Sequence, residues 1–189
     1  MKPITLHTPR LILRPWRDED SDAFAAMFED PAVMAFLLAT QGRAAIDALI
    51  VRIRQHFAEH GFGWWAAEVP GVAPFIGFIG LARISREAHF TPAVEVGWRL
   101  ARPYWGQGYA TEGARAALDF GFSQLRLDEI VSLTVPANRR SWRVMQRIGM
   151  RRDPADDFDH PRVLDGHPLK RHVLYRIDRA RLEEMSEKH

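Results

Sequence analysis

Between residues 94 and 122 the hydrophobic residues change period once, and two glycines mark the change. Val94-Glu95-Val96-Gly97-Trp98-Arg99-Leu100 alternates as a strand does, whereas Ala110, Ala114, Ala117, Leu118, Gly121 and Phe122 fall on one helical stripe. The link between them is Tyr104-Trp105-Gly106-Gln107-Gly108-Tyr109-Ala110-Thr111-Glu112-Gly113. A strand that turns sharply into a helix aims the helix's unsatisfied N–H groups, and the positive end of its dipole, at one point. Glycine has no Cβ, so a ligand can approach that backbone closely. A pyrophosphate suits such a point. An ordinary strand–turn–helix connection is the other reading of the same residues.

About thirty residues on, Ile130 to Val135 forms an apolar run closed by Pro136. Asn138 then opens Arg139-Arg140-Ser141-Trp142-Arg143-Val144-Met145-Gln146-Arg147-Ile148, and Gly149 stops it. Asn is a preferred N-cap and Gly a preferred residue just past a helix end, so both ends of a short helix are marked. The order is strand, glycine turn, helix, strand, Asn-capped helix, then Gly149-Met150.

This order resembles the GNAT superfamily of acyl-CoA N-acyltransferases, and within it the branch of the ribosomal-protein-alanine N-acetyltransferases (RimJ/RimL type). Thr8-Pro9-Arg10-Leu11-Ile12-Leu13-Arg14-Pro15 is similar to that branch's opening strand, and Asp18 to Asp30 to its first helix. Glu95-Val96-Gly97-Trp98 is similar to its central strand, Asn138, Ser141 and Ile148-Gly149-Met150 to its second helix, and His172-Val173-Leu174-Tyr175 to its last strand. The resemblance implies an α/β fold with a mixed, largely antiparallel seven-stranded sheet, about four flanking helices and a splayed central strand pair. It also implies one N-acetyltransferase domain over residues 1–189, acetyl-CoA as co-substrate, no metal, and a primary amine as acceptor.

Composition is compatible with a single globular enzyme. The length of 189 residues can bury a substantial core. Hydrophobic residues at 47% and charged residues at 26% are globular values. No stretch is long or apolar enough to span a bilayer, and a signal-peptide core is lacking at the N-terminus, so no membrane partner is expected. The absence of cysteine removes disulfides, thiolate catalysis and Cys-ligated zinc, which fits a cytoplasmic location. A net charge of +2 is too small to argue for nucleic acid. Nothing chooses between monomer and homodimer.

The coarse reading places strands near 9–16, 62–69, 75–84, 93–100, 129–135 and 169–177, and helices near 18–29, 43–59, 108–122 and 139–148. Residues 153–168, with three prolines and five aspartates, read as a long surface loop. Arg179 to Lys188 reads as a short exposed helix or a frayed tail.

By resemblance, the backbone N–H groups from Trp105 through Gly106, Gln107, Gly108, Tyr109 and Ala110 to Thr111 hold the pyrophosphate of coenzyme A. Trp105 stands where the family's signature has Gln or Arg, which removes one polar contact and leaves amide-based binding intact. Trp98, Arg99 and Leu100 match the strand positions whose main chain pairs with the pantetheine arm as an added strand would; core packing by their side chains is compatible with this. Asn138 matches a residue near the reacting end and is also an N-cap, a role that by itself stabilises by roughly 1 kcal/mol. Arg143 belongs to a basic group with Arg139, Arg140, Arg147, Arg151 and Arg152. Most such runs are solvated faces, and one or two members suit the adenosine 3′-phosphate.

Many GNAT enzymes carry a tyrosine seven residues after the Asn as the acid that protonates the leaving thiolate. Met145 stands there and cannot donate a proton. Ser141, one turn earlier, matches the serine that the branch carries instead; a small residue at a tight packing point is the other reading. Glu95 is the first candidate for the base that takes the amine's proton. Asp159, His160 and His172 are alternatives, and for each an ordinary surface or strand residue is the plainer reading. Trp64 and Trp65 point to opposite faces of a strand, so one of them belongs to the core. A coenzyme-A-binding module without catalysis is the rival function. A P-loop is disfavoured because no Gly-Lys-Ser/Thr follows the glycines.

Overall fold

A computed structural model describes residues 4–37 and 42–186. By density of internal contact the chain forms two compact units, Met1–Ala82 with Gly97–Ala117, and Arg83–Val96 with Leu118–His189.

In the first unit, β1 (Leu6–His7), β2 (Ile12–Arg14), β3 (Trp64–Val69) and β4 (Ala73–Arg83) pair antiparallel in sequence order. The C-terminal half of β5 (Val94–Leu100) lies against β4, where the Ala101 amide donates to the Ile76 carbonyl at 2.9 Å. Gly77 makes that approach possible. Its φ is +132°, and a Cβ there would lie 2.1 Å from the Arg99 carbonyl oxygen.

Helices α1 (Asp20–Glu29), α2 (Pro31–Met34) and α3 (Arg43–His60) put Phe24, Met27, Val33, Ile46, Ile50 and Ile53 into one core with Trp16, Phe75 and Phe78. The stripe Ile46, Ile50, Ile53 has the i, i+4, i+7 spacing of a helix buried on one face. The bidentate pair of Arg14 with Asp20, both contacts at 2.8 Å, fixes the first turn of α1. Trp65 is fully buried while Trp64 is half-exposed and stacks on Phe78 at 5.0 Å, as alternation requires.

In the second unit, the N-terminal half of β5 pairs in parallel with β6 (Glu129–Thr134) at Glu95 and Val131. Beyond that point the Ser132 hydroxyl donates to the Val96 carbonyl at 2.8 Å. A side chain thus replaces a ladder bond where the two strands part. β9 (Arg171–Asp178) pairs antiparallel with β6 along its length and with β7 (Arg151–Arg152) and β8 (Phe158–Asp159). Helix α4 (Tyr109–Ser123) precedes β6, α5 (Arg139–Arg147) follows it, and α6 (Arg179–Ser186) closes the described chain.

The fold is α/β and its sheet is mixed and mostly antiparallel, as expected. The described residues form nine strands and six α-helices, where the sequence predicts seven strands and about four helices. The extra elements are short. The opening run is broken at Pro9-Arg10 into β1 and β2, and the expected loop over 153–168 contains β8. Two-residue strands have no alternation to read and exist only because a neighbour offers its edge. The expected helix over 179–188 is present to Ser186; residues 187 and 188 lie outside the described residues.

Candidate active site

The glycine turn lies in the first unit. Gly106 and Gly108 have φ of +75° and +85°, values that L residues rarely adopt. The first helical bond of α4 runs from the Glu112 amide to the Gly108 carbonyl at 3.0 Å, so the amides just before Glu112 are the unsatisfied donors of a helix start.

The Gln107 carbonyl of the turn is engaged by the chain's opening segment. Arg10 donates from Nη1 to the Gln107 carbonyl at 2.9 Å and from Nε to Glu112 at 2.6 Å, and its guanidinium lies 4.9 Å from the centroid of the Tyr109 ring. Glu112 also accepts from the Thr8 hydroxyl and the Arg10 amide. Burial pushes the Glu112 carboxyl up, but these donors together hold it below its ordinary value. Thr8, Arg10 and Glu112 therefore clamp the turn at the Gln107 carbonyl and the start of α4. Sequence reasoning assigned Thr8 and Arg10 to a strand and missed this role; a Thr-x-Arg run is too common to signal it.

Around Gly106 there is open space: nothing lies within 4 Å of a Cβ built there. Together with the free amides, this fits a pyrophosphate. The place of Trp105 is also explained. Its indole N–H donates to the Leu100 carbonyl at 2.7 Å, so the turn is tied to the end of β5 by this residue rather than by a family Gln or Arg. Trp98 is half-buried and Leu100 is buried. Arg99 lies over the rings of Phe28 at 5.2 Å and Phe78 at 5.5 Å, and burial lowers its pKa to about 10.

The second unit holds Glu95, Asn138, Ser141 and Arg143. Asn138 caps α5: its Oδ1 accepts from the Ser141 amide at 3.3 Å, and its Nδ2 donates to Thr134 Oγ1 at 3.0 Å. α5 ends in a paired-bond C-cap. The Gly149 amide bonds the Gln146 carbonyl, the Met150 amide bonds the Met145 carbonyl, and Gly149 has φ +90°. Both marks read from the sequence thus hold the helix.

Met145 is 1% exposed, a core residue. Ser141 is half-buried, and its hydroxyl has no hydrogen-bond partner among the described residues. Arg143 is exposed, with its guanidinium 6.0 Å from the Trp142 ring.

Glu95 is half-buried on β5, with no hydrogen bond or ion pair among the described residues. Burial raises its pKa from 4.5 to about 7, against the pull of the Arg86 charge. The other base candidates lie in the same unit. His172 is held below its ordinary pKa, chiefly by burial, and His160 is lowered to about 4 by burial and by the charges of His172, Arg86, Arg162 and Lys170. Both are neutral at pH 7. Asp159 pairs with Arg171 at 3.3 Å. Among the described residues no group of three or more His, Asp or Glu side chains is arranged to hold a metal.

The family model of the acetyltransferase (GNAT) domain matches residues 10–151. The chain belongs to the GNAT acetyltransferase family. The Bacillus subtilis protein YkkB is 32% identical over 146 residues, which span 77% of this chain and 84% of that protein. FsC-acetyl coenzyme A-N(2)-transacetylase of Aspergillus fumigatus is 31% identical over 155 residues, 77% of this chain and 64% of that protein. Among solved structures, an acetyltransferase from Agrobacterium tumefaciens superposes with a TM-score of 0.75 at 27% identity, covering 95% and 96% of the two chains. Mycobacterium smegmatis RimJ, solved with CoA-disulfide, shares the fold with a TM-score of 0.76 at 20% identity, covering 96% and 90%. Among the described residues no helix is long and apolar enough to cross a membrane.

Proposed function

We propose that the protein moves the acetyl group of acetyl-CoA onto a primary amine, an α-amine in preference to a lysine side chain, by direct attack in a ternary complex. The observation that carries this reading is Glu95, an unpartnered carboxyl with a pKa of about 7 on the strand that leads into the glycine turn. A base near 7 is matched to neutral operation. Removing a proton from an α-ammonium of pKa ~7.7–8.0 is then uphill by about 1 kcal/mol, against about 5 kcal/mol for a lysine near ~10.4. That difference selects the α-amine.

Acetyl-CoA supplies the activated acetyl group as a thioester. The amides from Gly106 to Thr111 bind its pyrophosphate, that of Trp105 being taken by the Arg102 carbonyl at 3.1 Å; the main chain of Trp98, Arg99 and Leu100 aligns its arm, and Arg143 meets a phosphate. Glu95 accepts the amine's proton. Ser141 donates a proton to the departing sulfur; because a thiol titrates near ~8.5, that donation adds less than it would in amide cleavage. Asn138 holds the first turn of α5, and so Ser141, in place. The family match spans both units, and β4, β5 and α4 each run from one unit into the other, which supports one catalytic domain over residues 1–189. The absence of cysteine supports a cytoplasmic location.

The test is release of coenzyme A thiol from acetyl-CoA with a panel of N-terminal peptides and small amines, followed by mass spectrometry of peptides that carry both a free N-terminus and an internal lysine. Acetyl on the α-amine is the expected product. Acetyl found mainly on lysine would overturn the acceptor assignment. Tight binding of acetyl-CoA with no turnover of any amine would favour the coenzyme-A-binding module.

A further inference from the structure

Arg86 lies in the second unit, between β4 and β5, in a turn closed by the Ile84 amide donating to the Ala93 carbonyl at 3.0 Å. Its Nε and Nη2 are withdrawn from solvent and have no hydrogen-bond partner among the described residues, although the residue as a whole is half-exposed. Other internal arginines are treated differently. Arg14 is satisfied by Asp20 and Glu68, and Arg176 by Asp156 at 2.7 Å and Glu129 at 2.5 Å.

The surroundings of Arg86 are built of rings. Its guanidinium carbon lies 5.9 Å from the Phe158 centroid. Phe158 stacks on His172 at 5.5 Å and packs on Phe90 at 5.1 Å, and His160 packs on His172 at 5.1 Å. β8 brings this group together through the register of Phe158 with His172. Both histidines are neutral at pH 7, and the charge of Arg86 is felt by each of them and by Glu95. The result is a wall of rings beside a guanidinium with unpaired donors, whose charge also acts on the carboxyl proposed to take the amine's proton.

A guanidinium with donors both buried and unpaired is a costly arrangement unless something else satisfies it. Among the described residues no carboxylate of this unit pairs with it. Glu95 is within its field but makes no ion pair with it. Asp156, Asp157 and Asp159 are taken by Arg176, Arg152 and Arg171. A planar oxyanion matches the guanidinium fork, and the rings suit the carbon chain that carries it.

We propose that Arg86 binds a carboxylate carried by the amine acceptor, so that the substrate is an acidic peptide with a free N-terminus rather than a neutral or polycationic amine. This rests on the acetyltransferase reading above. Arg86 anchors the acid end, the Phe158–His172 wall covers the linker, and the amine is presented to Glu95. The amine nitrogen gains the acetyl group, its proton passes to Glu95, and coenzyme A leaves as the thiol.

The test uses matched acceptors with the intact enzyme: one set of peptides with glutamate after the free N-terminus against the glutamine versions, and one with aspartate there against the asparagine versions. The expected result is a kcat/KM that favours the carboxylate member of at least one set by roughly ten- to a hundredfold. In Arg86→Gln that ratio should fall to near one, with Arg86→Lys between, and acetyl-CoA affinity by calorimetry unchanged. Propionate should compete with a neutral amine in the native enzyme and not in Arg86→Gln. Acetylation without preference for a carboxylate, or a preference that survives Arg86→Gln, overturns the inference and leaves the acetyltransferase reading standing. If no amine of either kind is acetylated although acetyl-CoA binds, the transfer reading itself fails. If Arg86→Gln loses acetyl-CoA binding, the native ratio and Arg86→Lys decide.

Discussion

Glu112 and Glu95 stand on either side of the glycine turn in the sequence, and the protein treats their carboxyls in opposite ways. Glu112 receives the Thr8 hydroxyl at 2.7 Å, the Arg10 amide at 2.8 Å and the Arg10 guanidinium at 2.6 Å. Its pKa is lowered, because these donors outweigh the burial that pushes it up. Glu95 has no such donor, and burial carries it up to about 7. The arginines repeat the contrast: Arg14 is held by two carboxylates and the Pro74 carbonyl, while Arg86 keeps two buried donors unpaired. Charges that are fully paired hold the chain's shape, here the glycine turn and the start of α1. Charged groups whose buried polar atoms are left unpaired are expensive to keep, and they cluster where proton transfer and substrate recognition are proposed.

The sharpest way to break the comparison is Glu95→Gln. If the unpaired carboxyl is the base, kcat/KM should fall by about 10²–10⁴ and the acid limb of the pH profile, centred near 7, should vanish. An acid limb that persists in Glu95→Gln below the ordinary histidine range would move the base to His172, which burial holds below its ordinary pKa. Its Nδ1 lies 3.3 Å from the Lys170 carbonyl, which can only accept, so Nε2 carries the free lone pair.

Gly108→Val probes the paired side of the comparison. The φ of +85° disfavours any L residue there, and a Cβ would lie 3.2 Å from Arg10 Nη2, so both the turn and its clamp are disturbed. Acetyl-CoA affinity measured by calorimetry should fall at least ~10-fold, about 1.4 kcal/mol. Unchanged affinity in a folded variant would remove the phosphate-cradle role.

The two carboxyls should also give opposite dependences of stability on pH. Glu95 has a folded pKa of about 7 above an ordinary value of 4.5, so the folded state holds its proton more tightly and stability falls as pH rises through that window. The full shift corresponds to about 3 kcal/mol, and partial exposure brings it to roughly 1–2 kcal/mol. Glu95→Gln should therefore raise Tm by a few degrees at pH 8 and leave it unchanged at pH 4. Glu112 is lowered, so its stabilisation is present above its ordinary value and is lost as pH falls through the folded one. Glu112→Gln should lower Tm at pH 7 and matter less in acid. Thermal melts across this range check both signs, and two variants moving the same way would dissolve the contrast.

The smallest effect is expected for Ser141→Ala, whose hydroxyl is also unpaired among the described residues. Its kcat should drop about tenfold or less, with the acetyl-CoA KM barely changed, because the thiolate leaves readily near neutrality. A kcat within twofold of the native value would make water the proton donor and Ser141 a packing residue.

Much of this molecule is determined locally and is therefore legible in its sequence. Alternation over residues 94–100, the glycine turn, the i, i+4, i+7 isoleucines of α3 and the Asn138 and Gly149 caps of α5 each follow from the conformational preferences of a few neighbouring residues. Met145 could be removed from the acid's role on its chemistry alone, and its burial in the core agrees. The tertiary structure decided what depends on partners far along the chain. The clamp joining Thr8 and Arg10 to Glu112 spans more than a hundred residues. The two-residue strand β8 exists only because β9 offers its edge, and it is what sets Phe158 against His172 near Arg86. A carboxyl's pKa and an arginine's lack of a partner are properties of surroundings rather than of residue type. Sequence could therefore nominate Glu95, and only packing could raise its pKa to about 7 and leave Arg86 with two buried donors unpaired.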